Sequence, residues 1–361
     1  MILIHLLVFA IGLTIVVATI LSAIRTFVLP RGHPEPLTRY VFITVRRALE
    51  LFAHLTGART YDRRDHILAF YAPLSLLTLL PAWYSLVTLG YACMFWAVGV
   101  PTWLDAFRVS GSSLLTLGFV PAEGLLQTIL AFTEALNGLI LVAMLIAYLP
   151  TIYAAFQRRE ALVTLLEVRA GAPPSAIEML ERYYRIHGIQ NLSQLWASWE
   201  TWFADIEESH TSLGALVHLR SPVPRRHWVI AAGTVLDGAA LTASTLDLPR
   251  DPQAELCLRA GYLALRKIAN FLNFRYNPHP QPTDPISITR EEFDAAYDRL
   301  ASAGIALKPN RDQCWRDFAG WRVNYDTILL GLADLTMAPP APWSSDRSAG
   351  KVRELRTSGR F

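Results

Sequence analysis

The chain has 361 residues and a formal net charge of +3, and its residues are 52% hydrophobic and only 17% charged. Soluble globular chains carry roughly 25% charged residues, so this composition indicates a membrane protein. The small net charge and the lack of a dense basic run exclude nucleic-acid binding. Cys93, Cys257 and Cys314 are far apart and odd in number, which predicts neither a disulfide framework nor a zinc site.

The membrane signal lies in the first half of the chain. No charged side chain occurs from Met1 to Ile24, or from Ile67 to Leu104. About 20 apolar residues at about 1.5 Å each cross the hydrocarbon of a bilayer, so both runs are long enough to span it. We predict an N-terminal transmembrane helix in residues 1–30. It differs from a secretory signal because its apolar run starts at once and its positive charge comes afterwards.

Residues 31–66 are predicted to form a cytoplasmic linker, because arginines outnumber acidic residues there. Five apolar residues recur at helical spacing within it: Val41, Val45, Leu49, Phe52 and Leu55. This pattern predicts an amphipathic helix. Such a helix can lie along the inner membrane surface or pack against the C-terminal domain, and the sequence favours neither alternative.

Residues 67–157 are predicted to hold two further spans. The first runs from about His66 to Gly99, and the second from about Gly124 to Phe156, followed at once by Arg158 and Arg159. The positive-inside rule then orients all three spans consistently. We expect a multi-pass protein of the plasma or bacterial inner membrane, with its N-terminus outside and its C-terminal domain in the cytoplasm.

Residues 101–123 join these two spans on the outside. They begin with a short predicted helix that runs to about Leu115 and continue as Thr116-Leu117-Gly118-Phe119-Val120. This link is too apolar for an ordinary exposed loop. Extended backbone that re-enters a membrane is tolerated only where it is buried in protein or lines a watery path. The sequence therefore predicts a re-entrant pore loop.

Helix, re-entrant loop and helix, with S-x-x-T-L-G-F at the turn, resemble the two-helix pore unit of potassium channels, whose filter reads TVGYG. Thr116, Leu117, Gly118 and Phe119 match its first four residues, and Val120 stands where the family has its second glycine. The resemblance implies a homotetramer whose filter carbonyls bind potassium or other monovalent cations, with no cofactor and no further metal. Valine rarely adopts φ > 0, so we expect the outermost ion site to differ and leave ion selectivity open.

Polar residues near the loop are further candidates for the site. Ser112 and Ser113 lie on the predicted pore helix. Glu134 is the only ionisable residue of the third span, and Asn137 shares its helix face. A carboxylate inside a bilayer is costly, so this face is expected to turn to a cavity behind the filter or to Ser112 and Ser113 as a buttress. Gly138 is a hinge candidate, with close packing as the alternative.

The second half is predicted to be an all-α cytoplasmic domain in residues 158–340, with a flexible basic tail in 341–361. One of its helices is expected over 310–336. Trp196, Trp199 and Trp202 recur every three residues, as in a core or subunit-contact stripe. Glu207, Glu208 and His210 are expected on a solvated helix end. No catalytic signature occurs in the sequence, so an enzyme is not expected.

The sequence thus predicts an all-α membrane protein with three transmembrane helices, a re-entrant pore loop and an all-α cytoplasmic C-terminal domain. The leading functional interpretation is a cation-channel subunit of the potassium-channel type with a TLGF filter. The alternative is a non-conducting membrane sensor or scaffold whose helical domain binds a partner. Both interpretations include the lipid bilayer as a partner.

Overall fold

The computed structural model describes residues 2–28, 35–57 and 60–347. These residues form α-helices and two short 3₁₀ helices, and no strand occurs among them beyond one isolated bridge between Leu246 and Leu307. The chain divides into two compact units. The first comprises Met1–Gly57 with Phe70–Ala154, and the second comprises Ala58–Ala69 with Ala155–Phe361.

The first unit contains α1 (Ile2–Phe27), α2 (Pro36–Leu55), α4 (Tyr71–Ala97), α5 (Trp103–Leu114) and the first part of α6 (Leu125–Ala170). Between α2 and α4 the chain forms α3 (Tyr61–Leu68), which belongs to the second unit. Among the described residues, three segments are long and apolar enough to cross a membrane: Ile2–Phe27, Tyr61–Ala97 and Leu125–Ala170. The prediction of an all-α membrane protein with three spans is confirmed to this extent.

The unit boundaries differ from the predicted ones. The predicted linker 31–66 contains two separate helices, of which α2 packs in the first unit and α3 in the second. The predicted second span is interrupted between Leu68 and Tyr71, and α4 then accommodates Pro81 inside its length. The predicted third span is the first part of α6, which continues to Ala170, and the boundary between the two units falls within this helix, after Ala154.

Two glycines allow α1 and α4 to approach closely. A Cβ atom added to Gly12 would collide with the carbonyl oxygen of Gly90 and lie 2.9 Å from the Cγ of Met94. A Cβ added to Gly90 would lie 2.8 Å from the carbonyl oxygen of Gly12 and 2.7 Å from a methyl of Val16. Small residues at such a crossing let helix backbones pack directly inside a membrane. Gly12 and Gly90 therefore set the spacing of these helices.

The second unit is built around α9 (Trp228–Ser244), which is buried along most of its length. The surrounding helices are α7 (Ala176–Arg185), α8 (Leu192–Ser212), α10 (Pro252–Phe271), α11 (Arg290–Ser302), α12 (Arg311–Arg322) and α13 (Asp326–Leu335). Trp196, Trp199 and Trp202 of α8 are buried in this core, as the core alternative for that stripe predicted.

Two predictions for this unit are wrong. The single helix expected over 310–336 is two helices, because the side-chain amide of Asn324 donates to the carbonyls of Gly320 and Trp321 and so ends α12. The flexible tail expected from residue 341 starts as packed structure. Trp343 is buried and Arg347 pairs with Glu292, while residues 348–361 lie outside the described part of the chain.

The Gly12→Ala variant should separate α1 from α4, because the new methyl group has no space against the Gly90 carbonyl. We expect it to lower the free energy of unfolding by about 1–3 kcal/mol, the usual cost of overpacking. Gly111→Ala is the matched control, because a Cβ at position 111 meets no atom within 4 Å. Thermal unfolding in detergent measures both, and equal midpoints for the two variants would contradict the close crossing.

Candidate functional site

Helix α5 begins beside the C-terminal end of α4. Thr102 caps it, accepting a hydrogen bond of 3.1 Å from the backbone N–H of Asp105. Trp103 stacks on Trp96 of α4 with ring centres 4.9 Å apart, and Trp96 stacks on His5 of α1 at 4.7 Å. The first turn of α5, the last turn of α4 and the first turn of α1 therefore meet at one end of this unit.

The other end of α5 contacts α4 and α6 well inside their lengths. The hydroxyl of Ser110 lies 3.1 Å from the carbonyl oxygen of Thr88, nine residues and about 14 Å before the end of α4. The carbonyl oxygen of Leu114 is packed against Gly138, where a Cβ would come within 2.5 Å of it. Gly138 is thirteen residues, or about 20 Å, beyond the start of α6.

Glu134 joins α6 to α5 through Ser110. Its side chain is fully buried, and its Oε1 accepts a 2.5 Å hydrogen bond from the Ser110 hydroxyl. Its Oε2 has no hydrogen-bond partner among the described residues. The buttress prediction named Ser112 and Ser113, but Glu134 instead contacts Ser110, which the sequence analysis did not single out. Ser110 lies four residues, about one helical turn, before Leu114, so both residues lie on the same face of α5. This spacing is the signal in the sequence that points to Ser110.

The side chain of Asn137 and the carbonyl group of Gly138 contact α4, while the Cα of Gly138 packs against α5. The Asn137 amide donates to the Tyr91 hydroxyl at 3.0 Å, and that hydroxyl donates to Thr133 at 3.1 Å. The Tyr84 hydroxyl donates to the carbonyl of Gly138 at 2.8 Å. The absence of a side chain at position 138 is explained by its close contact with Leu114, as the packing alternative for this glycine predicted.

The segment after α5 folds back over the last turn of that helix. The carbonyl of buried Ser112 accepts hydrogen bonds from the N–H groups of Leu117 and Gly118, at 2.8 and 3.4 Å. Its hydroxyl accepts a 3.1 Å bond from the N–H of Val120. The carbonyl of Ser113 accepts from Thr116 at 3.0 Å, while its hydroxyl bonds within α5. Ser112 therefore anchors residues 116–120, which we call the filter-like segment.

The backbone of this segment is unusual at two positions. Gly118 has φ +69° and Thr116 has φ +54°, both in the left-handed region. Glycine adopts that conformation readily, whereas for a β-branched residue it is an outlier of the kind that clusters at functional sites. Val120 is not in that region. Leu117 and Phe119 are 60% and 63% exposed in the single chain.

A second polar cluster, missed by the sequence analysis, lies in the C-terminal unit. Three consecutive residues, Leu219, Arg220 and Ser221, form it with α3 and α6. The Leu219 carbonyl accepts from Arg159 of α6 at 2.7 Å, and the Ser221 hydroxyl donates to Glu160. Arg220 forms a buried ion pair with Asp65 of α3 and donates to the Thr336 carbonyl at 2.8 Å. Breaking such a buried pair from one side typically costs about 3–5 kcal/mol.

His210 is wholly buried in this unit, so the prediction of a solvated helix end is wrong for it. Its Nε2 lies 3.3 Å from Nη1 of Arg159, and its Nδ1 lies 3.2 Å from the Ser209 hydroxyl. A guanidinium group only donates, so Nε2 accepts and the imidazole is neutral. Burial and then the charge of Arg159 hold the pKa of His210 well below 6.5.

The buried cluster of charged residues around Arg322 has a structural explanation. Arg322 is buried between Asp237 and Asp326, with N–O distances of 2.5 and 2.8 Å, and every carboxylate there has further partners. No group of three side chains able to hold a metal ion occurs among the described residues.

The Ser110→Ala variant should destabilise the protein by about 1–3 kcal/mol, because it leaves the buried carboxyl of Glu134 without its partner. Adding Glu134→Leu should recover part of that loss, since removing both partners is less costly than removing one. Ser113→Ala is the control, because its hydroxyl bonds only the Val109 carbonyl of its own helix. Thermal unfolding tests this, and a double variant less stable than Ser110→Ala would contradict the pairing.

The stability of the C-terminal unit should fall as the pH falls below about 6.5. The folded pKa of His210 is depressed, so the unfolded chain binds the proton more readily and is favoured in acid. One such histidine costs about 1.4 kcal/mol at pH 5.5. His210→Gln should reduce the difference in unfolding midpoint between pH 7.5 and pH 5.5, and His279→Gln, at an exposed position, should not. If the His210→Gln variant showed the same difference in unfolding midpoint as the wild type, His210 would not be the group that destabilises the folded chain in acid.

Comparisons with protein-family models, with curated proteins and with solved structures gave no match.

Proposed function

We propose that the chain is one subunit of a cation channel of the potassium-channel type, in which residues 115–124 re-enter the membrane as a pore loop. The depth of the C-terminal end of α5 carries this proposal. This end of α5 contacts α4 about 14 Å before the C-terminal end of α4, and it contacts α6 about 20 Å after the start of α6. The hydrocarbon core of a bilayer is about 30 Å thick. Non-helical backbone at such a depth needs protein or water around it.

The filter-like segment has the features that a pore loop requires. Ser112 fixes the backbone of Leu117, Gly118 and Val120, so their carbonyl groups are held in defined positions. Leu117 and Phe119 are exposed in a single chain, and inside a membrane they need cover from lipid or from neighbouring subunits. One chain supplies a single loop, so we propose a homotetramer in which four loops surround an axis.

Potassium and other monovalent cations are the proposed substrates. The carbonyl groups of Thr116 to Phe119, with the Thr116 hydroxyl at the inner end, would replace the water shell of the ion. Val120 does not adopt the left-handed backbone that a filter glycine allows, and its N–H is bonded to Ser112. We therefore expect the outermost ion site to differ and selectivity among monovalent cations to be weaker.

The proposed orientation places the N-terminus and the 101–123 link outside. The stack of His5, Trp96 and Trp103 supports a common side for them, and tryptophans favour the membrane–water boundary. Within the second unit, the Leu219–Ser221 cluster contacts α3, which precedes the outer helix in sequence, and the part of α6 that follows the inner helix. We propose that the domain tethers or gates the pore through this cluster.

A non-conducting sensor or scaffold is the second candidate. Val120 favours it, because the filter motif lacks the glycine at that position. In that case the Leu219–Ser221 cluster would serve to transmit partner binding to the membrane helices.

Potassium flux into proteoliposomes tests the channel. Thr116→Ala should lower flux about tenfold, equivalent to ~1.4 kcal/mol in the barrier, because the innermost ion ligand is lost. Val120→Gly should change the ratio of potassium to sodium flux. Thr128→Ala is the matched control, since among the described residues the Thr128 hydroxyl bonds only the carbonyl of Gly124, just before α6.

Two results would count against the channel. Wild-type protein that gives no cation flux under any voltage, pH or lipid composition, and that runs as a monomer or dimer, would favour the scaffold. Flux that neither Thr116→Ala nor Val120→Gly alters would rule out the filter assignment.

A further inference from the structure

Helix α2 divides its apolar residues between two faces. Val41 and Ala53 are buried, and the ring of Phe42 packs edge-on against Tyr71 of α4 at 5.8 Å. These contacts attach α2 to a membrane-spanning helix of its own unit. The sequence alone could not separate the residues that make this contact from those that remain outside.

The outward face of α2 is strongly apolar. Three large side chains on it are 59–75% exposed: Tyr40, Leu51 and Leu55. Tyr40, Leu51 and Leu55 follow one line along the helix, because 11 and 4 residues correspond to about three turns and one turn. An exposed ridge of this kind on a helix needs a partner.

The charge of α2 is positive. Two of its arginines lie to one side of this ridge, and Arg47, seven residues after Tyr40, projects only about 20° from Tyr40 and so lies within the ridge. The helix contains Arg39, Arg46 and Arg47 against the single acid Glu50, which pairs with Arg46 at 2.9 Å. At about 100° per residue, Arg39 and Arg46 project about 100° and 120° to the same side of Tyr40. Long arginine side chains can keep their charge in the headgroup layer while their stems cover apolar surface.

We propose that α2 lies in the plane of the membrane, with its Tyr40–Leu51–Leu55 ridge at the boundary of headgroups and acyl chains in a leaflet that contains anionic phospholipid. The ridge is continuous with the lipid-facing surface of the spans, because α2 packs on α4 within one unit. Amphipathic helices with aromatic and aliphatic residues on one face and arginine beside them bind such interfaces. Anionic headgroups complement the arginines.

This proposal is independent of the channel, since it requires only that the spans cross a membrane. Failure to detect flux would leave it intact, and failure of α2 to contact lipid would leave the pore proposal intact.

Nitroxide labels on full-length protein in vesicles test it directly. Leu51→Cys and Leu55→Cys place labels on the ridge, and Ser198→Cys, at an exposed position of α8, is the control. The wild-type chain, whose cysteines are Cys93, Cys257 and Cys314, gives the background label. Gel filtration checks that each variant is folded.

The ridge labels should be several-fold more accessible to oxygen than to a water-soluble nickel chelate, relative to the control label. High nickel accessibility would overturn the proposal in favour of a water-exposed face. Low accessibility to both reagents would overturn it in favour of a protein partner or a second copy.

The lipid charge is tested with phosphatidylcholine vesicles with and without phosphatidylglycerol. Adding phosphatidylglycerol should raise the oxygen-to-nickel ratio of the ridge labels, and Arg39→Gln with Arg47→Gln should remove that increase. Arg259→Gln, the same change at an exposed position of α10, should leave the increase unchanged. A ratio that is the same in both lipids would overturn the requirement for an anionic leaflet.

Discussion

Three helices of the first unit meet at the side chain of Ser110. Its hydroxyl faces the Thr88 carbonyl of α4 and the Glu134 carboxyl of α6 while it sits on α5. A hydroxyl group has one proton to donate, so the Thr88 carbonyl and the Glu134 carboxyl share it. Burying the Glu134 carboxyl costs free energy, because its Oε2 has no hydrogen-bond partner among the described residues. Together with the packing of Leu114 on Gly138, this contact holds α5 against α6, and α5 carries Ser112, to which the N–H groups of Leu117, Gly118 and Val120 are bonded.

The elements of the fold follow largely from sequence, because apolar run length and helical spacing are local signals. The three spans, the short helix before TLGF and the tryptophan stripe of α8 were of this kind. The division between units was not predictable, since α3 resembles the start of the second span until Asp65 is seen to pair with Arg220. Partners 155 residues apart leave no local pattern.

The candidate site was predictable in its residues and only partly in its contacts. Glu134 and Gly138 stand out because a carboxylate and a glycine are conspicuous in an apolar helix. Ser110 does not stand out, since a serine on a short helix is ordinary until Glu134 reaches it. His210 does not stand out either, because its buried contact is with Arg159 of another helix.

The proposed channel requires residues 115–124 to enter the membrane and to surround an axis in a tetramer. An electron cryomicroscopy structure of the chain in lipid nanodiscs would show whether they do. We expect four copies, with the carbonyl groups of Thr116 to Phe119 directed at a common axis within the hydrocarbon layer. A single copy, or a loop that lies on the outer membrane surface away from any axis, would contradict the proposed channel.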